Sequence, residues 1–354
     1  MRIKRDWHIL HGRDLQIVFG ITLVSAIGVT SIAPAFPSMA KALGLTEGEV
    51  VMLITVFTFP GIILAPVMGI LADRFGRKKV IVPSLLLFGI AGGACAFTTD
   101  YAALLALRFI NGVGASALGG LGQTIISDVF TGKDRTAALG YNASVLGVGT
   151  MIYPALGGAL ALLGWSYPFL LSALALPMGF IVLFGLRNPE PAALPPLRRY
   201  LGGALRSAAD RYVLPAYLAT LATFILLYGA LLSYFPFLMH QRFNASPSTI
   251  GLMLAATSIT TIIGAFNLGW ITRRFNPKTI ITVSFAAYAV AIMLVLVADS
   301  LWLMIIPVLL YGLANGLNIP SIQTHLSGSS PMEYRGVFMS VNSMVLRLGQ
   351  TVGP

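Results

Sequence analysis

The sequence predicts an all-α integral membrane protein made of two six-helix bundles that are related by a pseudo-two-fold axis. Three observations predict this fold class. The chain of 354 residues is 56% hydrophobic with a mean hydropathy of +0.84, far more apolar than a soluble domain. Apolar stretches of about 20 residues, the length that crosses a bilayer as a helix, recur along the whole chain. The second part of the chain also repeats the first.

Eleven spans follow from the apolar runs and from the charged, Pro and Gly residues that bound them. We expect them at residues 14–36, 50–72, 79–98, 101–125, 137–162, 166–187, 212–239, 249–271, 279–298, 301–325 and from 336 onward. The alternation of a β-barrel is absent, so the spans are helices, which satisfy their own backbone hydrogen bonds in lipid. The first run is too long for a signal peptide and is expected to be a retained anchor. The chain therefore divides into an N-terminal half (1–187), a proline-rich linker (188–211) and a C-terminal half (212–354).

Basic residues are distributed unevenly between the two ends of the spans. All 23 Lys and Arg residues lie in the N-terminal leader or in loops on one side, with the exceptions Lys41, Arg108, Arg242 and Arg347. Loops rich in Lys and Arg remain in the cytoplasm. We therefore expect a multi-pass protein of a bacterial plasma membrane with a cytoplasmic N-terminus. Because these residues lie between helices, the net charge of +11 does not indicate nucleic-acid binding.

An internal repeat appears when each position is compared with the position 200 residues later. The matching pairs are Gly69 and Gly269, Arg74 and Arg274, Phe75 and Phe275, Lys78 and Lys278, Arg135 and Arg335, Asn142 and Asn342, Gly149 and Gly349, and Pro154 and Pro354. Parallel repeats of this kind characterise one class of transporters, whose substrate site lies between the halves near the midplane. The repeat also predicts that the end of span eleven and all of span twelve are missing from a truncated sequence.

The stretch "GILADRFGRKK" (69–79) concentrates charge at the end of span two. Its residues Gly69, Leu71, Ala72, Asp73, Arg74, Gly76, Arg77 and Lys78 resemble the G-x-L-A-D-R-x-G-R-K signature of the major facilitator superfamily. The resemblance implies a conformational lock, formed with Asp128 and Arg135, that closes the cytoplasmic side. The second-half copy "GWITRRFNPKT" has Arg273 in place of the acid. The alternative for the basic residues alone is a topological anchor.

Span four contains "LLALRFINGVGASA", which is similar to the L-x-x-x-R-x-x-Q-G-x-G-A pattern of the same family. Asn111 replaces the usual glutamine. Arg108 lies about 10 Å from the start of its helix, where an arginine is costly and usually functional. The resemblance implies that Arg108, Asn111 and Gly112 take part in proton transfer. The alternative is an arginine that reaches the outer headgroups.

Span five carries a third signature, which resembles a pattern of antiporting exporters in this family. The residues are Gly140, Gly149, Pro154, Gly157 and Gly158, with Tyr153 in place of a glycine. Glycines on one face allow close helix packing and a proline bends the helix, so we expect a hinge between the halves. Generic small-residue packing is the alternative for the glycines alone.

Acidic residues are confined to tails, loops and the ends of spans, although the chain has twelve of them. A buried acid would attract a cationic substrate, so its absence weakens a cation-specific function. We expect a cavity between the halves that is lined by Ser31, Gln123, Tyr228, Tyr234, Asn315 and Asn318. This lining suits neutral lipophilic or uncharged polar compounds, or anions drawn to Arg108. Arg347 is a second intramembrane cation without an acid in its span. Interhelical hydrogen bonding is the alternative for each polar side chain.

These observations predict a secondary active efflux transporter that exports small lipophilic or neutral compounds by proton antiport with alternating access. The alternatives are an exporter of a metabolite, such as a sugar or amino-acid derivative, and a non-transporting sensor or inactive fragment. No catalytic motif is found and Cys95 is a single cysteine, so we expect no enzyme, cofactor or metal site. The expected partners are a small-molecule substrate, protons and the lipid bilayer, and the expected state is a monomer.

Overall fold

The computed structural model of the protein describes residues 12–186, 213–329 and 335–354, and the predicted linker 188–211 lies outside them. The described residues form helices without strands, which confirms the all-α fold. The helices are α1 (Arg13–Leu43), α2 (Glu47–Phe75), α3 (Arg77–Phe97), α4 (Tyr101–Val129), α5 (Gly132–Ala161), α6 (Tyr167–Gly185), α7 (Leu214–Phe243), α8 (Pro247–Ile271), α9 (Pro277–Val297), α10 (Ile305–Ser329) and α11 (Arg335–Val352).

Ten of these helices, α1 to α10, are long and apolar enough to cross a membrane. The eleventh predicted span forms α11 at its predicted position, but it is not among them. Polar residues interrupt its sequence, including Asn342, Arg347 and Gln350. Their side chains lie against or close to other helices of the bundle, so α11 contributes a polar face to the interior of the molecule.

Short turns join consecutive helices within residues 12–186 and 213–329, and side-chain caps explain where several of these helices begin. Thr46 and Glu49 form a reciprocal capping box at the start of α2. Asp100 accepts a hydrogen bond from the Ala103 amide at the start of α4, and Ser246 caps α8 in the same way. α2 ends at Phe75, Gly76 follows with a φ of +99° that favours glycine, and α3 begins at Arg77.

The first helix of each half changes its winding where a proline follows. α1 is α-helical to Thr30, passes through a 3-10 turn at Ala33–Ala35 and continues as an α-helix to Leu43. α7 contains a π-helical segment at Leu226–Tyr234 before its final turns. Pro34 and Pro236 lie at these irregular segments, where each removes a backbone donor.

The internal repeat is visible as a pair of equivalent hydrogen bonds. In the N-terminal half, the Thr22 hydroxyl of α1 donates to Asn142 Oδ1 of α5 at 2.7 Å. In the C-terminal half, the Thr220 hydroxyl of α7 donates to Asn342 Oδ1 of α11, also at 2.7 Å. All four side chains are buried. Each half therefore joins its first and fifth helices by the same bond.

The halves contact each other on the side away from the basic loops. The rings of Phe36 in α1 and Phe237 in α7 stack with centroids 6.3 Å apart. Gln241 of α7 donates a hydrogen bond to Glu47 at the start of α2. Apolar and polar contacts thus close this side, which we call the opposite side.

The same halves separate toward the basic loops, on what we call the basic side. α5 and α8 are in close contact near Gly158 and Pro247, and still touch where the Ser258 hydroxyl donates to the Thr150 carbonyl at 2.9 Å. Nearer the basic side, no described residue lies within 4 Å of the Cβ position of Gly140 in α5 or Gly269 in α8. The interface between the halves is therefore open on the basic side.

Candidate functional site

A charged cluster of Asp73, Arg77 and Asp128 lies at the basic side of the N-terminal half. Gly76 turns the chain so that Arg77 becomes the first residue of α3, close to the last turn of α2. The Arg77 guanidinium pairs with Asp73, and its Nε donates to Asp128 Oδ2 of α4 at 3.1 Å. Arg77 is 7% exposed, whereas both carboxylates are about one third exposed. One buried arginine therefore joins three helices of the same half.

The other residues predicted for the lock lie around this cluster without joining it. The exposed Arg135 of α5 forms no ion pair with the described residues, and the exposed Arg74 lies 5.8 Å from the Phe75 ring. Lys78 Nζ donates to the Leu186 carbonyl at 3.5 Å. Gly69 has no described neighbour within 4 Å of its Cβ position. In this conformation the predicted lock is thus a contact within one half.

Arg108 is fully buried inside the N-terminal half. Its Nε donates to the Leu53 carbonyl of α2 at 3.2 Å, and Nη2 donates to the Gly28 carbonyl of α1 at 3.1 Å. Nη1 donates to Asn111 Oδ1 at 2.9 Å, and the Phe57 ring lies 4.1 Å from the guanidinium carbon. With 0% exposure it reaches neither the outer headgroups nor the interface. Arg108 therefore ties α1, α2 and α4 together, and it does not attract anions in this conformation.

Asn111 and Gly112 complete the surroundings of this arginine. Asn111 Nδ2 donates to the Phe88 carbonyl of α3 at 2.7 Å while its oxygen accepts from Arg108. The Cβ position of Gly112 lies only 2.0 Å from the Phe57 carbonyl oxygen. A glycine is required there, because any side chain would push α4 away from α2. The three predicted proton-transfer residues thus lie together. The charge of Arg108 is enclosed within the N-terminal half, and Asn111 is bound to it directly.

α5 packs between two helices through the residues of the predicted hinge. The Cβ position of Gly157 lies 1.8 Å from the Ser31 carbonyl oxygen of α1, and that of Gly158 lies 2.4 Å from the Pro247 carbonyl oxygen of α8. Pro154 presents its carbonyl oxygen to Gly251 of α8. α5 remains one continuous helix through Pro154.

Two other residues of that pattern lie differently. Tyr153 is 8% exposed, and its ring fills the space beside Gly149, whose Cβ position is 3.3 Å from Tyr153 Cε2. Gly140 contacts no neighbouring helix, as described above. The close glycine packing is therefore limited to the half of α5 that lies on the opposite side.

Three of the six predicted cavity residues do not line an open space in this conformation. Ser31 is buried and donates to the Ile27 carbonyl of its own helix at 2.9 Å. Asn318 Nδ2 donates to the Thr223 hydroxyl at 2.7 Å, and Asn315 Oδ1 accepts from the Tyr288 hydroxyl at 3.0 Å. Both asparagines are buried inside the C-terminal half. Their hydrogen bonds are made to the helix backbone or to neighbouring side chains, although Asn318 Oδ1 has no hydrogen-bond partner among the described residues.

The other three cavity candidates are accessible. Tyr234 is 45% exposed and its hydroxyl donates to the Pro354 carbonyl at 3.2 Å. Gln123 is exposed on α4, and Tyr228 is partly exposed on α7. Tyr228 accepts a hydrogen bond at 3.0 Å from Gln350 Nε2 of α11. This last contact leads to a group of residues at the centre of the interface.

A central polar cluster joins α2 and α4 of one half to α7 and α11 of the other. It consists of Thr58, Tyr228, Arg347, Gln350 and Thr351. The Thr351 hydroxyl donates to the Thr58 hydroxyl at 3.0 Å, and Thr58 also donates to the Gln350 carbonyl at 3.4 Å. Arg347 Nη1 lies 3.1 Å from the Cβ position of Gly61 in α2, and Nη2 lies 3.6 Å from that of Gly119 in α4. Arg347 thus extends from α11 across the interface.

Most of this cluster was absent from the residues that the sequence predicts for the site. One signal could have identified it. Positions that the repeat leaves unmatched are candidates for a role that only one half performs, and position 147, the counterpart of Arg347, is a glycine. Thr58 and Gln350 carry no comparable signal, because polar residues of this kind also occur elsewhere in the spans.

The comparisons with known proteins agree with this architecture. The family model described as Major Facilitator Superfamily matches residues 18–354. The tetracycline resistance protein, class C, of Escherichia coli is 27% identical over 349 residues, which cover 96% of this chain and 87% of that protein. Multidrug resistance protein 2 of Bacillus subtilis is 25% identical over 348 residues, covering 96% and 86%.

A more similar but shorter match is the bacillibactin exporter of Bacillus subtilis. It is 34% identical over 164 residues, and this match covers 44% of this chain and 41% of that protein. Among solved structures, a bacterial homologue of the human lysosomal transporter Spinster, in an inward-facing and unoccupied conformation, gives a TM-score of 0.80 at 19% identity. That similarity covers 96% of this chain and 80% of the other.

Proposed function

Because the chain belongs to the major facilitator superfamily, whose members are transporters, we propose that it is a secondary active efflux transporter for small lipophilic compounds. Transport would proceed by proton antiport with alternating access. The relatives named as tetracycline and multidrug resistance proteins, which align over almost the whole chain, support export as its direction. We further propose that the protein acts as a monomer.

The observation that carries this proposal is the interface between the halves. It is closed on the opposite side by Phe36, Phe237 and Gln241, and it is open on the basic side. Between these regions lies the central polar cluster, at about the middle of α2 and α4. A site with one accessible side at a time is what alternating access requires.

The basic side is proposed to face the cytoplasm, because cytoplasmic loops carry the excess of Lys and Arg. The open interface would then receive substrate from the cytoplasm or the inner leaflet. The similarity to a structure described as inward-facing is consistent with this assignment. Closure of the basic side and opening of the opposite side would complete export.

Three groups of residues have proposed roles in that cycle. The charged cluster of Asp73, Arg77 and Asp128, with Arg135 nearby, would hold the basic side closed once the halves approach. The hinge in α5 would allow α5 and α8 to change their angle around Gly158. Arg108, Asn111 and Gly112 would take part in proton coupling by fixing how α1 and α2 sit against α4.

Transport by the purified protein in liposomes tests the proposal. We expect an imposed pH gradient to drive tetracycline or a lipophilic fluorescent dye across the membrane, and an uncoupler to abolish the movement. Liposomes that contain the protein without a gradient serve as the control. If no compound in a panel of dyes and antibiotics moves with the gradient, export by proton antiport is refuted.

A second candidate function is the export of one metabolite. The shorter match at 34% identity to a protein named for a single compound, bacillibactin, supports this alternative. Expression in a host that lacks its own pumps separates the two. General export predicts resistance to several unrelated compounds, whereas metabolite export predicts accumulation of one compound in the medium and no resistance.

A further inference from the structure

The two intramembrane arginines differ in how their charge is satisfied. Arg108 has three oxygen acceptors and an aromatic ring around it, and it is fully buried. Arg347 is partly exposed, and its guanidinium makes no hydrogen bond or ion pair with the residues that the structure describes. An arginine in a membrane normally pairs with an acid or with backbone carbonyls. Arg347 thus remains available to a partner from outside the chain.

No described acid lies close enough to supply that partner. α7, α10 and α11 contain no Asp or Glu, and those of α2 and α4 lie at their ends. Asp73 is twelve residues from Gly61, which is about 18 Å along α2, and Asp128 is nine residues from Gly119, or about 14 Å along α4. Both acids are bound to Arg77. The positive charge of Arg347 is therefore not neutralised from within its surroundings.

The space beside Arg347 is suited to a ligand. Gly61 and Gly119 face the guanidinium without side chains of their own, and Gly119 is exposed although it faces the other half. Gln123 is also exposed and lies one helical turn from Gly119 toward the basic side. The open part of the interface therefore extends from the basic side to Arg347.

Polar groups around Arg347 add to its recognition of oxygen atoms. Tyr228 is partly exposed, and its hydroxyl oxygen already accepts from Gln350, so its proton is free to be donated to a ligand. The planar guanidinium of arginine binds carboxylates and other flat oxyanions through two parallel hydrogen bonds.

We propose that Arg347 and Tyr228 form the subsite that binds the anionic group of the exported compound. The substrate class is an amphipathic organic anion with one carboxylate, phenolate or enolate group on an apolar body. This inference rests on the proposed export function and narrows its substrates from lipophilic compounds in general to lipophilic acids. Arg108, which is sealed by its own half, has a structural role in this proposal.

Binding of a matched pair of probes to the purified full chain tests the subsite. Anthracene-9-carboxylate and its neutral methyl ester have the same ring system, and the fluorescence anisotropy of each reports binding directly. We expect the carboxylate to bind at least about tenfold more tightly than the ester, since hydrogen bonds to charged groups are among the strong ones. Equal affinities would overturn the proposal.

Substitutions test whether Arg347 causes the difference in affinity between the carboxylate and the ester. Arg347→Gln is expected to lower carboxylate affinity by about tenfold while leaving ester affinity unchanged, and Arg347→Lys is expected to retain part of the preference. Arg242→Gln, which removes an exposed charge near the opposite side, is the matched control and should change neither affinity. If Arg347→Gln binds both probes as the wild type does, the subsite lies elsewhere.

A second variant keeps the test decisive if Arg347→Gln does not fold. Gly119→Val adds bulk about 3.6 Å from Nη2 and leaves the charge in place. It should weaken binding of both probes, and unchanged carboxylate binding would again refute the subsite. A different result would show that the proposed export function is wrong while the anion subsite is correct. In that case no probe or dye moves with a pH gradient, whereas the difference between acid and ester in binding persists.

Discussion

At the scale of single residues, burial alone does not decide whether a polar side chain serves structure or transport. Arg108 and Arg347 are both intramembrane arginines, but the first is surrounded by acceptors, whereas the guanidinium of the second makes no hydrogen bond within the part of the chain that the structure describes. The sequence predicts that both are unusual and cannot distinguish them. The distinction depends on carbonyl groups such as those of Gly28 and Leu53, which every residue possesses and which only the packing of helices directs toward a cation.

Backbone carbonyls that accept hydrogen bonds also explain why a predicted cavity residue can be buried. A serine in an apolar helix can donate to the carbonyl four residues earlier, as Ser31 does to Ile27. Its polarity then carries no information about water or substrate. The hydrogen bond between Thr58 and Thr351 could not be predicted from the sequence either, because it depends on how two helices that are far apart in the sequence are rotated about their axes.

Asp73→Asn tests the charged cluster. The substitution removes the charge that pairs with buried Arg77, and a hydrogen bond to a charged group contributes about 1.5–3 kcal/mol. We expect transport in a dye-efflux assay to fall at least tenfold while the amount of protein in the membrane is unchanged. Asp299→Asn, which changes an exposed acid on the opposite side, is the control. Unchanged efflux by Asp73→Asn would refute the proposed lock.

Gly112→Ala tests the contact between α4 and α2. The added Cβ would lie 2.0 Å from the Phe57 carbonyl oxygen, so the helices must move apart. We expect the free energy of unfolding to decrease by about 1–3 kcal/mol, as is typical of overpacking. The thermal unfolding midpoint of the purified protein measures this loss. Gly120→Ala, at a position with no described neighbour within 4 Å, should have no such effect, and equal midpoints would contradict the close contact.

At the scale of helices, the sequence predicted most boundaries because charges and glycines end the apolar runs. The turn at Gly76 and the start of α3 follow directly from "DRFGRKK". The continuation of α1 to Leu43 was not predicted, since a proline usually ends a helix. Here Pro34 and Pro37 lie in the first turns of new helical segments, where a missing N–H costs nothing.

Chemical cross-linking between introduced cysteines tests which ends of the helices are in contact between the halves. We expect the pair Glu47→Cys and Gln241→Cys to be joined by a short bifunctional thiol reagent, because the Glu47 and Gln241 side chains meet at their tips across the interface on the opposite side and a direct disulfide between shorter side chains would need closer Cβ atoms. The pair Gly69→Cys and Gly269→Cys is the matched control, at repeat-related positions on α2 and α8 that have no described neighbours within 4 Å. Gel mobility after proteolysis between the halves measures both. Equal cross-linking of the two pairs would contradict an interface that is closed on one side.

At the scale of the whole molecule, the internal repeat carried the largest part of the prediction. It indicated two related bundles, and the equivalent Thr22–Asn142 and Thr220–Asn342 bonds show the relationship at atomic detail. The repeat could not predict how the two bundles are arranged relative to each other. That arrangement depends on contacts between the halves, such as that of Gly158 with Pro247. Similarity between the two halves indicates how each half folds and does not indicate which of their surfaces meet.

The orientation in the membrane can be tested with two cysteines, each introduced alone into a Cys95→Ala variant. Lys79→Cys lies on the basic side and Lys41→Cys on the opposite side, and both positions are exposed. In intact cells we expect a membrane-impermeant maleimide to label Lys41→Cys alone, and both variants to react once the cells are opened, since the basic side is proposed to be cytoplasmic. Labelling of Lys79→Cys in intact cells would reverse the proposed direction of transport.

The duplicated Thr–Asn bond has a mechanical consequence. Because each bond ties the first and fifth helices of one half, it would resist sliding of these helices and favour tilting of each half as one body in the proposed transport cycle. The deformation of that cycle would then fall on the contacts between the halves, where hydroxyl pairs such as Thr58 and Thr351 can exchange their partner for water. Two stiff units joined by contacts of this replaceable kind would change their relative angle without rearranging their own interiors.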